Sequence, residues 1–340
     1  MRRVCSSTSP VDRAQLSYVN MKLVVALMLL ARHFPISIQE NSTVAVTTQH
    51  NGWSDAQRNF VERLWRMNYL QKQPKNAECN HIPDKSSWTL QQKLKYVAVN
   101  STVIISNVNE GYLDFAANFW MSYRALGRSN IFFFTEDCLA FNSLGRLVGW
   151  EHVGPPFTSH SSSGAASFNT PVFKTLTQLR PFYMHLVLRN GLRALWQDLD
   201  SVPLRDILPK LPQSADLVVA NDGSSDRVHK KLCSCLIYLK PTSMGWYMLY
   251  LWLRSFRNED RNDQISWNRA TAFARKEGRV RISVLPVKHF PNGQQYEQFA
   301  NTAYWAHANY RTGKEAKLLF FTEENLWFST QDTEKWNHSL

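Results

Sequence analysis

A chain of 340 residues in which 44% are hydrophobic carries enough apolar mass for one large or two medium cores, which excludes a disordered or fibrous class. Lys and Arg number 39 against 27 Asp and Glu, a net charge of +12, yet no basic run exceeds a pair such as Arg2-Arg3, Lys230-Lys231 or Arg275-Lys276. With no nucleic-acid module in the pattern, nucleic acid is excluded as a partner. The diffuse charge fits a surface that attracts a small phosphorylated substrate, or one that is merely solvated.

Residues 23–31 (LVVALMLLA) form an apolar stretch preceded by Arg2, Arg3, Arg13 and Lys22. A bilayer crossing needs about 20 apolar residues, whereas a secretory signal core needs roughly 7 to 15. Met21-Lys22 reads as a start for such a signal, and Phe34, Ile36 and Ile38 extend the stretch toward a weak type II anchor. Residues 1–39 are therefore expected to be a signal or signal-anchor segment, and 40–95 a polar stem with a short helix over 55–69, where Phe60, Leu64 and Met67 recur at helical spacing. Residues 96–330 are expected to form one globular domain and 331–340 a tail. Sequons at Asn41, Asn100 and Asn337 agree with a luminal or extracellular setting, although each tripeptide alone is common by chance. Cys79, Cys138, Cys233 and Cys235 allow three disulfide pairings. Cys233 and Cys235 have no His cluster near them in the sequence and are not read as a zinc site.

The apolar run over 97–108 predicts a buried strand, and a helical pattern follows over 112–126. Residues 131–134 predict a second strand, which ends at Thr135-Glu136-Asp137. After a Ser/Gly-rich loop over 158–167, one long helix is expected over 172–189, stopped by Asn190-Gly191. A strand over 193–197 then delivers Asp198. Strands over 216–220 and 236–239 and helices over 243–257 and 263–276 complete the pattern. Such alternation predicts an α/β fold, a mainly parallel sheet with helices on both faces, whose ligands sit beyond the carboxyl ends of the strands. That rim carries Asp137, Asp198 and Asp200.

The segment Asp198-Leu199-Asp200 is the most informative in the chain. Two carboxylates one residue apart at a strand end repel each other unless a cation or proton intervenes, and hard oxygen ligands suit Mg²⁺ or Mn²⁺. A metal held there neutralises charge on a leaving diphosphate. D-x-D alone is frequent and equally describes a solvated turn; the buried strand before it favours the metal.

Several short segments in order carry a closer resemblance: Asn109-Glu110-Gly111-Tyr112-Leu113-Asp114, Asp137, Arg180, the D-x-D, Tyr238-Leu239-Lys240-Pro241-Thr242, and Asn262-Asp263-Gln264 with Trp267-Asn268. Phe290-Pro291-Asn292-Gly293 and His307-Ala308-Asn309-Tyr310 follow, then Gly313, Lys317 and Trp327. From about residue 102 to 327 the chain resembles the nucleotide-diphospho-sugar transferase family that includes plant rhamnogalacturonan xylosyltransferases and extracellular-glycoprotein arabinosyltransferases. The resemblance implies a GT-A (Rossmann-like) fold in a single catalytic domain. It further implies retaining, metal-dependent transfer from a UDP-sugar, with xylose the first choice and arabinose or galactose open, to a glycan or glycoprotein acceptor. On the same basis His307 joins Asp198 and Asp200 as a third ligand of Mn²⁺ or Mg²⁺, and Asn109, Tyr112 and Asp137 face the nucleoside. Arg180, where the family more often has Lys, meets donor charge, and Lys317 reaches the diphosphate. Asp263 and Gln264 lie below the anomeric carbon, although Asn262 or Asp263 equally suits a helix N-cap. The family setting is the Golgi lumen with type II membrane anchoring, a secreted form being the alternative. One departure stands out: Cys233-Ser234-Cys235 replaces a small Gly-containing segment, which touches on sugar choice or on activity itself.

Two rival functions use the same residues. A haloacid dehalogenase-like phosphatase would employ Asp198 as nucleophile, but its motif belongs on the first strand of the domain, and two strands and two helices precede it here. The other rival is an inactive sugar-nucleotide-binding protein of the same fold.

Overall fold

The computed structural model describes residues 79, 88–156, 165–166, 169–223, 231–257, 260 and 262–328. The apolar stretch over 23–31, the helix expected over 55–69 and the sequons at Asn41 and Asn337 lie outside them. Among the described residues no helix is long and apolar enough to cross a membrane.

Nine strands are described: β1 (Thr102–Val108), β2 (Ile131–Thr135), β3 (Val153–Gly154), β4 (Arg193–Gln197), β5 (Ser201–Pro203), β6 (Leu217–Asn221), β7 (Leu232–Leu239), β8 (Ile282–Leu285) and β9 (Trp305–His307). Seven form one sheet in the order β3-β2-β1-β4-β7-β6-β8, in which β7 runs antiparallel to both neighbours and the other pairings are parallel. The expected mainly parallel sheet is thus present. The remaining two, β5 and β9, pair antiparallel in a small sheet of their own.

Helices α1 (Leu90–Val97), α2 (Leu113–Ala125), α3 (Cys138–Val148), α4 (Pro171–Gln178), α5 (Arg180–Arg189), α6 (Ser243–Ser255), α7 (Asp263–Glu277), α8 (Tyr296–Phe299) and α9 (Lys314–Glu323) complete the fold. Strand alternation divides the core in two. Ile104, Phe133 and Leu195 point into one cluster with Phe115 and Phe119 of α2 and Phe141 of α3. Val103, Ile105, Phe132, Phe134 and Trp196 point into the other, with Met184 of α5, Trp252 of α6 and Trp267 of α7. Both faces are covered, which is why the central strands read as continuous apolar runs. Phe132, Phe133 and Phe134 are each fully buried, a contribution of about 1.5–3 kcal/mol apiece. Of the nine tryptophans the structure describes, Trp196, Trp252, Trp267 and Trp305 are buried in these clusters, and Trp120, Trp150, Trp246 and Trp327 are partly buried against them.

Two elements differ from the sequence expectation. The strand expected over 97–108 begins only at Thr102, because Asn100 and Ser101 both take positive φ (49° and 56°) in a tight turn closed by mutual backbone hydrogen bonds between Val99 and Thr102. Val97 instead ends α1, whose start carries a capping box: Gln92 N donates to Thr89 Oγ1 at 3.3 Å and Thr89 N to Gln92 Oε1 at 2.8 Å. The long helix expected over 172–189 is broken at Leu179 into α4 and α5. Pro181 is the reason: a mid-helix proline removes an amide and crowds the preceding turn, whereas in the first turn of a new helix it costs little.

Lys93 of α1 is buried beneath the sheet edge, its Nζ donating to Val153 O at 2.9 Å. Burial pulls its pKa down to about 8, with Glu151 opposing. An ordinary lysine titrates near about 10.4, so between these values the unfolded chain binds more protons than the native one, and stability rises with pH across that window. We expect urea midpoints measured at about pH 8 and about pH 9.5 to increase for the natural chain and to change less for Lys93→Met. Equal slopes would show that Lys93 is not desolvated as described.

Candidate active site

The loop from β4 to β5 is fastened at its base. Ser201 Oγ donates to Asp198 O at 2.5 Å and accepts from Gln197 Nε2 at 2.9 Å, while the Tyr123 hydroxyl donates to Gln197 Oε1. This tight turn presents both carboxylates on one side. β5 then pairs with β9 in a register that sets Ser201 opposite His307, and Ala308 N donates to Asp200 O at 2.8 Å. The pairing carries His307 to the D-x-D: one ligand atom from each of Asp198, Asp200 and His307 lies within 4.8 Å of the others. His307 Nε2 is 3.4 Å from Asp200 Oδ1. Its other nitrogen, Nδ1, is buried without a hydrogen-bond partner. Behind β9 the backbone of Gly293 passes so closely that a Cβ there would lie 2.1 Å from Asn309 O and 2.7 Å from His307 O, so only glycine fits.

Two cations flank the acids. Lys317 of α9 donates to Asp200 Oδ2 at 2.6 Å. Burial favours the neutral form of the Asp200 carboxyl, but Lys317 and His307 outweigh it and hold the group well below the usual carboxylate range. The Lys317 ammonium, penalised by burial, is in turn raised by Asp200. Arg180, at the first position of α5, reaches Asp198 with Nη2 (2.9 and 3.0 Å to its two oxygens) and Asp263 Oδ2 and Ser234 Oγ with Nη1 (3.0 Å each). Its guanidinium also lies over the Trp196 ring, and Trp196 Nε1 donates to Asp198 Oδ1 at 2.9 Å.

Asp263 and Gln264 open α7. The N-cap is Asn262, whose side chain accepts from Ile265 N at 3.4 Å, and this leaves the Asp263 carboxylate turned to Arg180. Burial pushes the Asp263 carboxyl up and Arg180 recovers only part of the shift. Gln264 Nε2 donates to Asp222 Oδ2 at 2.8 Å, while its Oε1 accepts from Ser234 N at 3.4 Å. Asp222 joins this candidate cluster through the Gln264 bond, and the sequence reading missed it. It also accepts from Asn309 Nδ2 at 3.2 Å and from the Tyr310 hydroxyl at 3.3 Å, and burial raises its pKa against the pull of Gln264 and His307. The signal was present: Asp222 follows a buried strand as Asp198 does.

The remaining predicted residues sit at the β1 and β2 ends. Asp137 caps α3, its Oδ1 accepting from Ala140 N at 2.7 Å and its Oδ2 from Glu110 N at 2.8 Å, so both oxygens hold backbone. Asn109 is buried directly after β1. Tyr112 lies in the field of Lys317 and Asp200; burial raises its phenol pKa and Lys317 opposes the rise. Asn100 is exposed in its turn.

Cys233 and Cys235 both project from β7 and are joined by a disulfide; Cys79 and Cys138 form the other. Asp198 N donates to Cys235 O at 2.9 Å, which places the pair directly beside the D-x-D. The His absent from their sequence neighbourhood is supplied by the fold, since Cys233, Cys235 and His307 also lie within 4.8 Å of one another.

The nucleotide-diphospho-sugar transferase family matches residues 127–321, more than half of the chain, a span that contains Asp137, Arg180, Asp198, Asp200, Asp263, His307 and Lys317. The chain belongs to that family and is a glycosyltransferase. The curated proteins it is similar to include two from Arabidopsis thaliana. "UDP-D-xylose:L-fucose alpha-1,3-D-xylosyltransferase MGP4" is 28% identical over 280 residues, covering 72% of this chain and 76% of the relative. "UDP-D-xylose:L-fucose alpha-1,3-D-xylosyltransferase" is 26% identical over 280 residues, covering 72% and 74%. The solved structure of mouse xyloside xylosyltransferase 1 in apo form aligns with a TM-score of 0.37 and 13% identity, covering 63% of this chain and 99% of that one.

Proposed function

We propose that this chain transfers xylose from UDP-xylose to a glycan or glycoprotein acceptor, with retention at the anomeric carbon and with a divalent cation, Mn²⁺ or Mg²⁺. The observation that carries the reading is the convergence of Asp198, Asp200 and His307 through the β5–β9 pairing. Two carboxylates and an imidazole with an unpartnered nitrogen are a donor set suited to such a cation. Once bound, the cation would offset negative charge on the departing diphosphate.

The other roles follow from position. Lys317, beside Asp200, meets the diphosphate, and Tyr112, Asn109 and Asp137 line the nucleoside end. Arg180 locks Asp198 and Asp263 in place, forking onto both where an ammonium could not. Asp263 and Gln264, the latter held by Asp222, face the sugar and acceptor. The relatives' names support xylose as donor sugar and a fucose-bearing acceptor; arabinose and galactose are the alternatives for the donor. We assign residues 96–330 to catalysis and place the enzyme in the Golgi lumen, anchored as a type II protein through residues 1–39 or released after signal cleavage. The exposed Asn100 is a glycosylation site on this reading, with Asn41 and Asn337.

Incubation with Mn²⁺ and a panel of UDP-sugars is expected to release UDP, most rapidly from UDP-xylose, and chelation to stop the release. A folded protein that frees UDP from none of them would overturn the assignment. A second reading, an inactive sugar-nucleotide-binding protein, is favoured by the disulfide-bonded cysteine pair beside the D-x-D. Calorimetric binding of UDP-xylose with no turnover on any acceptor would establish it instead.

A further inference from the structure

Cys233 and Cys235 alternate with Ser234 along β7, so their side chains leave the same face of the strand, and all three residues are buried. His307 reaches them across the small β5–β9 sheet, itself only 2% exposed and with Nδ1 lacking a hydrogen-bond partner. His307 therefore belongs to two triads at once: a hard one with two carboxylates and a soft one with two sulfurs. Zinc bonds of about 2.3 Å to sulfur and about 2.0–2.1 Å to nitrogen put tetrahedral ligand atoms roughly 3.5–3.8 Å apart. A His307 nitrogen already lies within 4.8 Å of both sulfurs, and the sulfurs, bonded to each other in the disulfide, have only to part by side-chain rotation once that bond is reduced.

We propose that the reduced Cys233/Cys235 pair and His307 form a second metal site, selective for a soft divalent cation such as Zn²⁺, that competes with the Asp198–Asp200 site for the shared imidazole. A two-electron reductant, a dithiol or a phosphine, opens the Cys233–Cys235 bond to two thiols with the uptake of two protons, and is itself oxidised. Zinc then displaces both thiol protons, forming two Zn–S bonds, while His307 donates a nitrogen lone pair. Water completes the tetrahedron. Thiolates prefer zinc to manganese, so reduction switches the cation that the imidazole serves. The binding step stands independently of the proposed function; only its consequence for sugar transfer rests on that reading.

The test uses the full chain, reduced with a phosphine and freed of it by gel filtration, then titrated with Cd²⁺ as a spectroscopic substitute for zinc. Thiolate-to-cadmium charge-transfer absorption should rise and saturate at one equivalent, and zinc should bleach it. Oxidised protein of the same sequence should show no band. Reduction also opens Cys79–Cys138, so the Cys79→Ser/Cys138→Ser variant should retain the band and Cys233→Ser/Cys235→Ser should lose it. His307→Ala should weaken cadmium binding at least about tenfold, the lower end of what lost support for a metal ligand costs. A band that persists in Cys233→Ser/Cys235→Ser, or reduced natural chain that shows none, overturns the proposal. Should Cys233→Ser/Cys235→Ser not fold, the oxidised and reduced forms of Cys79→Ser/Cys138→Ser still decide, because Cys233–Cys235 is then the disulfide that opens. UDP release by the oxidised enzyme with Mn²⁺ would be untouched by such a failure.

Discussion

Asp200→Ala is expected to lower Mn²⁺-dependent UDP release by more than about 100-fold, beyond the 10–100-fold typical of losing a residue that merely supports a metal ligand. Three interactions end together: a carboxylate oxygen of the triad, the contact with His307 Nε2 and the 2.6 Å bond from Lys317. The loss of charge and the loss of shape can be separated. Asp200→Asn keeps a hydrogen-bond acceptor for Lys317 but lowers the negative charge offered to a cation, so it should bind Mn²⁺ almost as poorly as the alanine variant while unfolding closer to the natural chain. Calorimetry with Mn²⁺, alongside UDP release, checks both. Asp200→Ala retaining more than a tenth of the natural rate would remove Asp200 from the metal centre.

Arg180→Met should destabilise the protein by about 3–5 kcal/mol, the usual result of deleting one partner from a buried ion-pair group. Arg180 is what allows Asp198 and Asp263 to share a buried space, and without it two carboxylates face each other. Asp263 already has a raised pKa from burial with Arg180 pulling against the rise, so removing Arg180 sends it higher. The pH dependence follows in sign. Between the unfolded carboxyl value of about 3.9 and the raised native one, the native state holds more protons than the unfolded chain. The Arg180→Met variant therefore gains stability, relative to the natural chain, as pH falls through that window. Adding Asp263→Asn removes one of the two repelling charges and should recover more than about 1 kcal/mol, a non-additivity that a double-mutant cycle in urea reads directly. Strict additivity would mean that Arg180 and Asp263 do not interact.

What could be read in advance follows from how local each signal is. The strand before Asp198 is buried on both faces, so its apolar run was visible, and the carboxylates after it stood out. Lys317 carried no such mark, because a lone lysine reads as solvated surface until α9 sets it against Asp200. His307 was reached only through family resemblance: β5 and β9 are three residues each, too short for any periodicity, and their pairing is purely tertiary. Asp222 was overlooked although it obeys the rule that singled out Asp198, since no second carboxylate marked it. The break at Pro181 was legible from proline chemistry and was missed. The disulfide pairing was not legible at all, because three connectivities are equal until the fold brings sulfur atoms together.

The two partners of Asp200 that complete its surroundings, His307 and Lys317, arrive late in the chain; Lys317 lies 117 residues beyond it. Contacts closed over so long a loop are costly in entropy and are made late. A nascent or truncated chain that ends before β9 would therefore own the seven-stranded sheet and a bare D-x-D, but neither the core side chains Trp305, Phe320 and Phe321 nor the imidazole and the lysine. On the proposed roles of His307 and Lys317, reactivity toward sugar nucleotides awaits closure of the C-terminal segment, and a cation that requires His307 would reward the completed molecule over every shorter intermediate.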